Sequence, residues 1–126
     1  MSTGRRAARR AALFVLYQSD VTGQPLASLY EGELDPYTQE LVEGVAAETA
    51  ELDAAIGEAS TEWRPDRLGA LERNILRIAL FELERDEVPL EVAIDEAVRL
   101  ARRYASDDAA KLVNGILGKV AKEAKR

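Results

Sequence analysis

The chain has 126 residues, no Cys, no His and a formal net charge of −6. This length suffices for one hydrophobic core, and the missing residue types exclude disulfides, thiol catalysis, Cys- or His-ligated metal sites and a His general base. The longest apolar run, Ala11 to Tyr17, is shorter than the roughly 20 residues of a membrane-spanning helix, so we expect no membrane contact. The missing Cys and His make an enzyme, a metal site or a cofactor site unexpected, and the absence of Cys is typical of a reducing compartment such as the cytoplasm.

The first predicted helix, residues 5–20, opens with a cluster of Arg5, Arg6, Arg9 and Arg10. This spacing gathers four guanidinium groups on adjacent strips of one helix face. Like charges four residues apart repel, and cations oppose the positive end of the helix dipole. Because local stability would favour acids here, the cluster indicates a phosphate-binding surface. The alternative is a solvated basic terminus without a ligand.

Charge is distributed unevenly along the chain. Residues 1–10 carry four Arg and no acid, whereas residues 11–63 carry eleven acids and no Lys or Arg. Residues 64–126 are nearly balanced, with thirteen basic and twelve acidic side chains. The pattern is typical of a polyanion-binding end joined to an acidic body that is solubilising or faces a partner.

A short helical segment is predicted from Leu26 to Tyr30, and a long helix after it. Asp35 can cap the free N–H groups of this long helix, and Pro36 suits its first position. Its apolar face has a period near 3.6 and continues well past residue 50. The face consists of Tyr37, Leu41, Val45, Leu52 and Ile56.

Trp63 is predicted to be a packing anchor, and the helix that follows it, from Leu68 to Leu83, to be central. Two neighbouring apolar stripes run along this helix, as in a helix that contacts neighbours on both sides. Its charged residues are mixed in sign, which is typical of a solvated face, although a basic partner protein could also use them. They include Glu72, Arg73, Arg77, Glu82, Glu84 and Arg85.

Two further helices complete an all-α prediction. Residues 91–105 carry one apolar face, and Ser106 with the two acids after it can cap a last helix. Asn114-Gly115, which often forms a hairpin turn, lies within that last helical pattern. Along these helices Tyr17, Tyr104 and Lys111 could supply stacking and cationic contacts to unpaired bases, although core packing is the alternative for both Tyr residues.

Several segments together resemble the NusB family. They are Arg5 to Tyr17 (RRAARRAALFVLY), Leu71 to Leu83 (LERNILRIALFEL), Val88-Pro89, Val92 to Ala101 (VAIDEAVRLA) and Val113 to Leu117 (VNGIL). The resemblance spans nearly the whole chain in order and spacing. It implies two packed three-helix bundles forming one compact domain over residues 1–126, with an N-terminal bundle at about 1–62 and a C-terminal bundle at about 63–126.

The resemblance also implies a function in transcription antitermination. A family member binds the boxA element of ribosomal-RNA operon leader transcripts together with a NusE-type ribosomal protein, and joins RNA polymerase and other Nus factors. A homodimer is a further assembly in the family. By position, Glu72 would face the ribosomal protein, and eight residues would lie on or near the RNA surface. These eight are Arg5, Arg6, Arg9, Arg10, Tyr17, Tyr104, Lys111 and Asn114.

The chain departs from the family pattern at two positions. Phe14 stands where Gln is frequent, and Leu112 stands where Phe is frequent, which puts base stacking near Asn114 in doubt. Two other functions stay open: a protein-interaction scaffold with an incidental Arg cluster, and a NusB-like domain of an RNA methyltransferase system. The second would need a glycine-rich cofactor fold and a nucleophilic Cys, which this sequence does not contain.

Overall fold

The computed structural model describes residues 2–30, 34–60, 68–85 and 87–124. Trp63, predicted to be a packing anchor, lies outside these residues. The described part contains α-helices and one 3-10 turn but no strand, which confirms the all-α prediction. The helices are α1 (Ser2–Thr22), α2 (Pro36–Ala47), α3 (Thr49–Ala59), α4 (Ala70–Arg85), α5 (Leu90–Tyr104) and α6 (Asp107–Ala124), and the 3-10 turn is Leu26–Ser28.

Side chains and backbone groups at the helix ends satisfy free N–H and C=O groups. The Asp35 carboxylate accepts from the N–H groups of Tyr37 and Thr38 at 3.0 and 3.3 Å, as the predicted cap requires. The N–H of Gly23 donates to the Ser19 carbonyl at 2.9 Å, and its φ of +75° ends α1 in a conformation that glycine adopts without strain. The chain therefore turns sharply after α1 toward α2.

The long helix predicted from Asp35 past Ile56 is wrong, because the structure divides it at Glu48 into α2 and α3. The Thr49 hydroxyl donates to the Val45 carbonyl at 2.8 Å, the oxygen that the Thr49 N–H would bond in a continuous helix. Glu48 itself has a φ of −114° and a ψ of +17°, outside helical values. Apolar periodicity continued across this position, so it did not reveal the break.

Helix α4 is the centre of the molecule, as predicted, and packs against each of the other five α-helices. Residues 74–82 are all buried, so its middle turns are enclosed on every side. Gly44 of α2 allows close approach here, because a Cβ at that position would overlap the ring of Phe81. Since α4 packs against helices of both halves, the division into two bundles stays a prediction.

In the described part of the chain, no helix is long and apolar enough to cross a membrane.

Candidate nucleic-acid interface

The four Arg residues of α1 have different surroundings, although one helix carries them all. Arg6 and Arg10 are exposed. Arg5 is half-buried, with its guanidinium carbon 4.4 Å from the centre of the Tyr37 ring. Arg9 is only 4% exposed. The cluster predicted from the sequence is therefore not one continuous exposed patch.

Arg9 belongs to a buried network with Glu82 of α4 and Tyr37 of α2. Its Nε donates to both carboxylate oxygens of Glu82, at 2.9 and 3.0 Å, and the Tyr37 hydroxyl donates to the same carboxylate. Burial opposes the charge on Arg9, but the hydrogen bond and charge of Glu82 outweigh it, so the pKa of Arg9 is raised. Burial, with the hydrogen bond to Glu82, also raises the pKa of Tyr37.

This network shows that Arg9, predicted to lie on or near the RNA surface, is buried inside the fold. Its guanidinium faces inward and is neutralised by a carboxylate 73 positions along the chain, which is itself 2% exposed. Removing one partner of a buried ion pair costs about 3–5 kcal/mol of stability, so this pair holds α1 firmly against α4. Arg9 therefore positions the exposed Arg6 and Arg10 and is not part of the exposed surface.

A groove of about 410 Å³ lies between the start of α1 and α5. Arg6 of α1 crosses it, and its Nε donates to Glu96 of α5 at 2.9 Å. The groove combines four guanidinium groups and two carboxylates with an apolar wall. It is lined by Arg5, Arg6, Arg9, Val88, Pro89, Val92, Asp95, Glu96 and Arg99. Such a combination suits a ligand with both anionic and apolar parts, as a nucleotide has.

A second row of cations, Arg99, Arg102 and Arg103, lies on α5 and was missed by the sequence reasoning. All three are exposed, and they line an open depression that continues the groove. The ion pairs of Arg99 with Glu96 and of Arg102 with Asp107 span 3.9 and 3.6 Å, too long for strong hydrogen bonds. Their i, i+3, i+4 spacing, opposite the apolar face of α5, could have revealed the row.

The far end of this basic surface is aromatic. The rings of Phe14 and Tyr104 meet edge to face, with centroids 5.0 Å apart and an interplanar angle of 81°. The guanidinium carbon of Arg103 lies 5.5 Å from the centre of the Tyr104 ring, and its Nε donates to the Tyr104 hydroxyl at 3.1 Å. The structure thus brings Tyr104 to α1 through Phe14.

Tyr17 is half-buried on α1, and Lys111 and Asn114 are exposed on α6. Lys111 and Asn114 are three residues apart and share a face of α6. Within the described ranges, no hydrogen bond or ion pair connects either of them to α1 or α5. The structure therefore brings Arg6, Arg10 and Tyr104 to one surface, and leaves the α6 residues as a separate predicted contact.

Glu72, the predicted partner contact, lies in the first turn of α4 and is half-buried. Its carboxylate accepts the N–H of Gly69 at 3.0 Å, as in a capping box. This bond satisfies a free donor at the start of the helix. It also fixes the side chain at that end of α4.

The solvated charged face predicted for α4 is wrong for Arg77 as well as for Glu82. Arg77 is 9% exposed, and its Nε and Nη2 donate to the two oxygens of Asp53 at 2.7 and 2.8 Å. It also donates to Asp20 at 3.1 Å, and the hydrogen bond to Asp53 is the main cause that raises its pKa. Sequence spacing within α4 could not show these partners, because they lie on α1 and α3.

None of the residues within the described ranges forms a group of three or more His, Cys, Asp or Glu that could hold a metal ion.

Comparison with known proteins gives concordant matches. The NusB family model matches residues 6–122. The transcription antitermination protein NusB of Rubrobacter xylanophilus is 45% identical over 90% of this chain and 86% of its own length. That of Desulforudis audaxviator is 40% identical over 94% of each chain.

Solved structures of NusB proteins have a fold similar to that of this chain. One chain in the crystal structure of antitermination factors NusB and NusE in complex with double-stranded RNA has a TM-score of 0.83 and 30% identity, covering 98% of this chain and 99% of that one. Thermotoga maritima NusB has a TM-score of 0.82 and 31% identity, covering 94% and 91%.

Proposed function

The chain belongs to the NusB family, and on this premise we propose that it is an RNA-binding transcription antitermination factor. It binds the boxA element of ribosomal-RNA operon leader transcripts together with a NusE-type ribosomal protein, and acts in the cytoplasm on the RNA polymerase elongation complex. The observation that carries the proposal is the exposed row of guanidinium groups along the α1–α5 groove. The role is one of binding and not of catalysis.

The RNA backbone binds along the groove between α1 and α5. Arg6 lines it from α1, with the exposed Arg10 one turn further along that helix, and Arg99, Arg102 and Arg103 line its α5 side and the depression that continues it. Guanidinium groups in such a row match phosphates through paired hydrogen bonds and release counterions. The carboxylate of Glu96 holds Arg6 before RNA arrives.

The remaining predicted contacts extend this path. Tyr104 lies at the aromatic end of the groove, and Tyr17 lies one turn beyond Phe14 on α1. Lys111 and Asn114 on α6 are proposed as a further contact. Arg9 contributes by holding α1 in place, and Arg5 by its half-exposed guanidinium.

Glu72 is proposed to face the ribosomal protein. Ribosomal proteins are basic, so the Glu72 carboxylate offers such a partner a complementary charge. The Gly69 contact already orders the Glu72 carboxylate, so docking costs little side-chain entropy. A homodimer is the alternative use of such a face.

The test is the salt dependence of boxA RNA binding, with the ribosomal protein present. If about four phosphates are neutralised, log affinity falls against log salt with a slope near −3 for single-stranded RNA. Arg6→Ala and Arg99→Ala each reduce the slope by about 0.7, whereas Arg85→Ala, which removes an α4 cation paired with Glu48, leaves it unchanged.

Arg9 is left out of the test because its replacement would destabilise the fold. Scrambled RNA serves as the sequence control. A slope near zero, or equal effects of all three variants, would favour the scaffold function in which the Arg cluster is incidental.

A further inference from the structure

We propose that Phe14 is a base-stacking residue that gives the groove its preference for unpaired over paired RNA. This inference rests on the proposed RNA-binding function and deepens it. The residue was visible in the sequence only as a departure from the family pattern. The structure places it at the aromatic end of the basic surface.

The exposure of Phe14 is the first argument. Three large hydrophobic side chains in the described part of the chain are exposed: Phe14 at 43%, Val21 at 55% and Val92 at 42%. Phe14 is the aromatic one among them. A Phe ring has no polar group to satisfy in water, so its exposed area is available to a flat apolar partner. Every RNA base has such a face.

Tyr104, the other aromatic residue at this end, already contacts several groups of the protein. Its ring packs partly against the core, meets Phe14 edge to face, and has its hydroxyl bonded by Arg103. An incoming base therefore meets the outer ring, Phe14, before it meets Tyr104. Tyr104 acts as a positioning residue that holds the Phe14 ring in one orientation.

Positively charged side chains lie on both sides of the Phe14 ring. Arg10 precedes Phe14 by four residues and thus lies one turn away on the same face of α1. Arg103 lies across the groove, in contact with Tyr104. An exposed aromatic ring between cations is the arrangement with which proteins bind single strands, the base on the ring and the phosphates on the cations.

This geometry favours an unpaired base and not a duplex. In a paired helix the base faces are covered by their neighbours, so only the phosphates can reach the surface. Because Phe14 offers no hydrogen bond, it distinguishes unpaired from paired RNA without selecting among bases. The cations bind both forms.

The experiment compares Phe14→Leu with the parent chain, using single-stranded boxA RNA and a duplex of the same sequence, each with the ribosomal protein present. We expect affinity for the single strand to fall about 5- to 150-fold, the range for losing one base stack, with the salt slope and duplex affinity unchanged. Phe14→Trp should retain single-strand binding. Val21→Ala, on the same helix but away from these cations, is the matched control. It should change neither single-strand affinity nor duplex affinity.

A fluorescent 2-aminopurine, placed at each boxA position in turn, reports stacking directly. At one position we expect quenching by the parent chain and not by Phe14→Leu. If the parent binds with the expected salt slope but Phe14→Leu binds equally well and quenches equally, this inference is wrong and the RNA-binding function stands.

If the parent shows no salt-dependent binding, the proposed function itself fails. Sedimentation compares the molecular mass of Phe14→Leu with that of the parent chain. If the parent is a dimer and Phe14→Leu a monomer, a second copy of the chain covers the ring, which would also overturn the inference.

Discussion

Replacing Glu82 by Gln should lower the free energy of unfolding by about 3–5 kcal/mol, the cost of leaving one member of a buried ion pair alone. Glu82 is 2% exposed, and its carboxylate bonds both Arg9 and Tyr37. Gln keeps the shape and one acceptor oxygen but loses the negative charge. The Arg9 guanidinium, 4% exposed, then stays buried without a counter-charge.

Thermal unfolding followed by circular dichroism measures this loss, together with urea denaturation. The midpoint should fall by about 9–25 °C, at the roughly 3–5 °C per kcal/mol typical of a domain of this size. Glu84→Gln, two positions along the same helix but exposed, is the control and should not destabilise. A loss for Glu82→Gln below about 1 kcal/mol, as for an exposed pair, would refute the assignment of Arg9 to the interior.

Three further changes test other parts of the structure. Gly44→Ala should cost about 1–3 kcal/mol in urea denaturation because its Cβ overlaps Phe81, whereas Gly57→Ala, with nothing within 4 Å, should gain about 0.5–1 kcal/mol. Asp35→Ala removes the α2 cap and should cost about 1 kcal/mol in the same assay. Although Glu84 is exposed, partial desolvation and the neighbouring Glu48 raise its pKa, so its charged form is disfavoured in the folded state. Glu84→Gln should therefore raise the free energy of unfolding at pH 7 by less than about 1 kcal/mol, seen as a higher melting temperature. This gain should disappear below about pH 4, where Glu84 is protonated in both states.

The helices were largely predictable because their signals are local. Asp35 and Pro36 mark the start of α2, and Ser106 caps α6 through the N–H of Ala109 at 2.9 Å. The break at Glu48 was not predictable from apolar spacing, since both helices continue the same pattern. At the break, the Thr49 hydroxyl donates to the Val45 carbonyl, a side-chain bond that bends a helix and that apolar spacing does not show.

The site was only partly predictable, because the sign of a side chain's charge does not reveal whether that side chain is buried. The four Arg residues were correctly expected to lie in one helix, but the partner that turns Arg9 inward lies 73 residues away on α4. The same holds for Arg77, whose carboxylate partners lie on α1 and α3. Within α4 alone, both Arg77 and Glu82 match the pattern of an exposed charged face.

The α5 half of the groove shows a different limit. Arg99, Arg102 and Arg103 have the spacing of one helix face, so the sequence contained the signal. That they join Arg6 across a groove depends on how α1 and α5 lie in the fold, which Arg6 and Glu96 reveal through their ion pair. Tertiary arrangement, and not local pattern, completes the surface.

The most direct measurement of the central claim is an NMR titration of the Arg Nε–H groups with boxA RNA in the presence of the ribosomal protein. If phosphates bind along the α1–α5 groove, the signals of Arg6, Arg10 and Arg99 shift on RNA addition, while that of the buried Arg9 does not. Unchanged groove signals in a complex that does bind RNA, or a shift at Arg9 alone, would contradict the account.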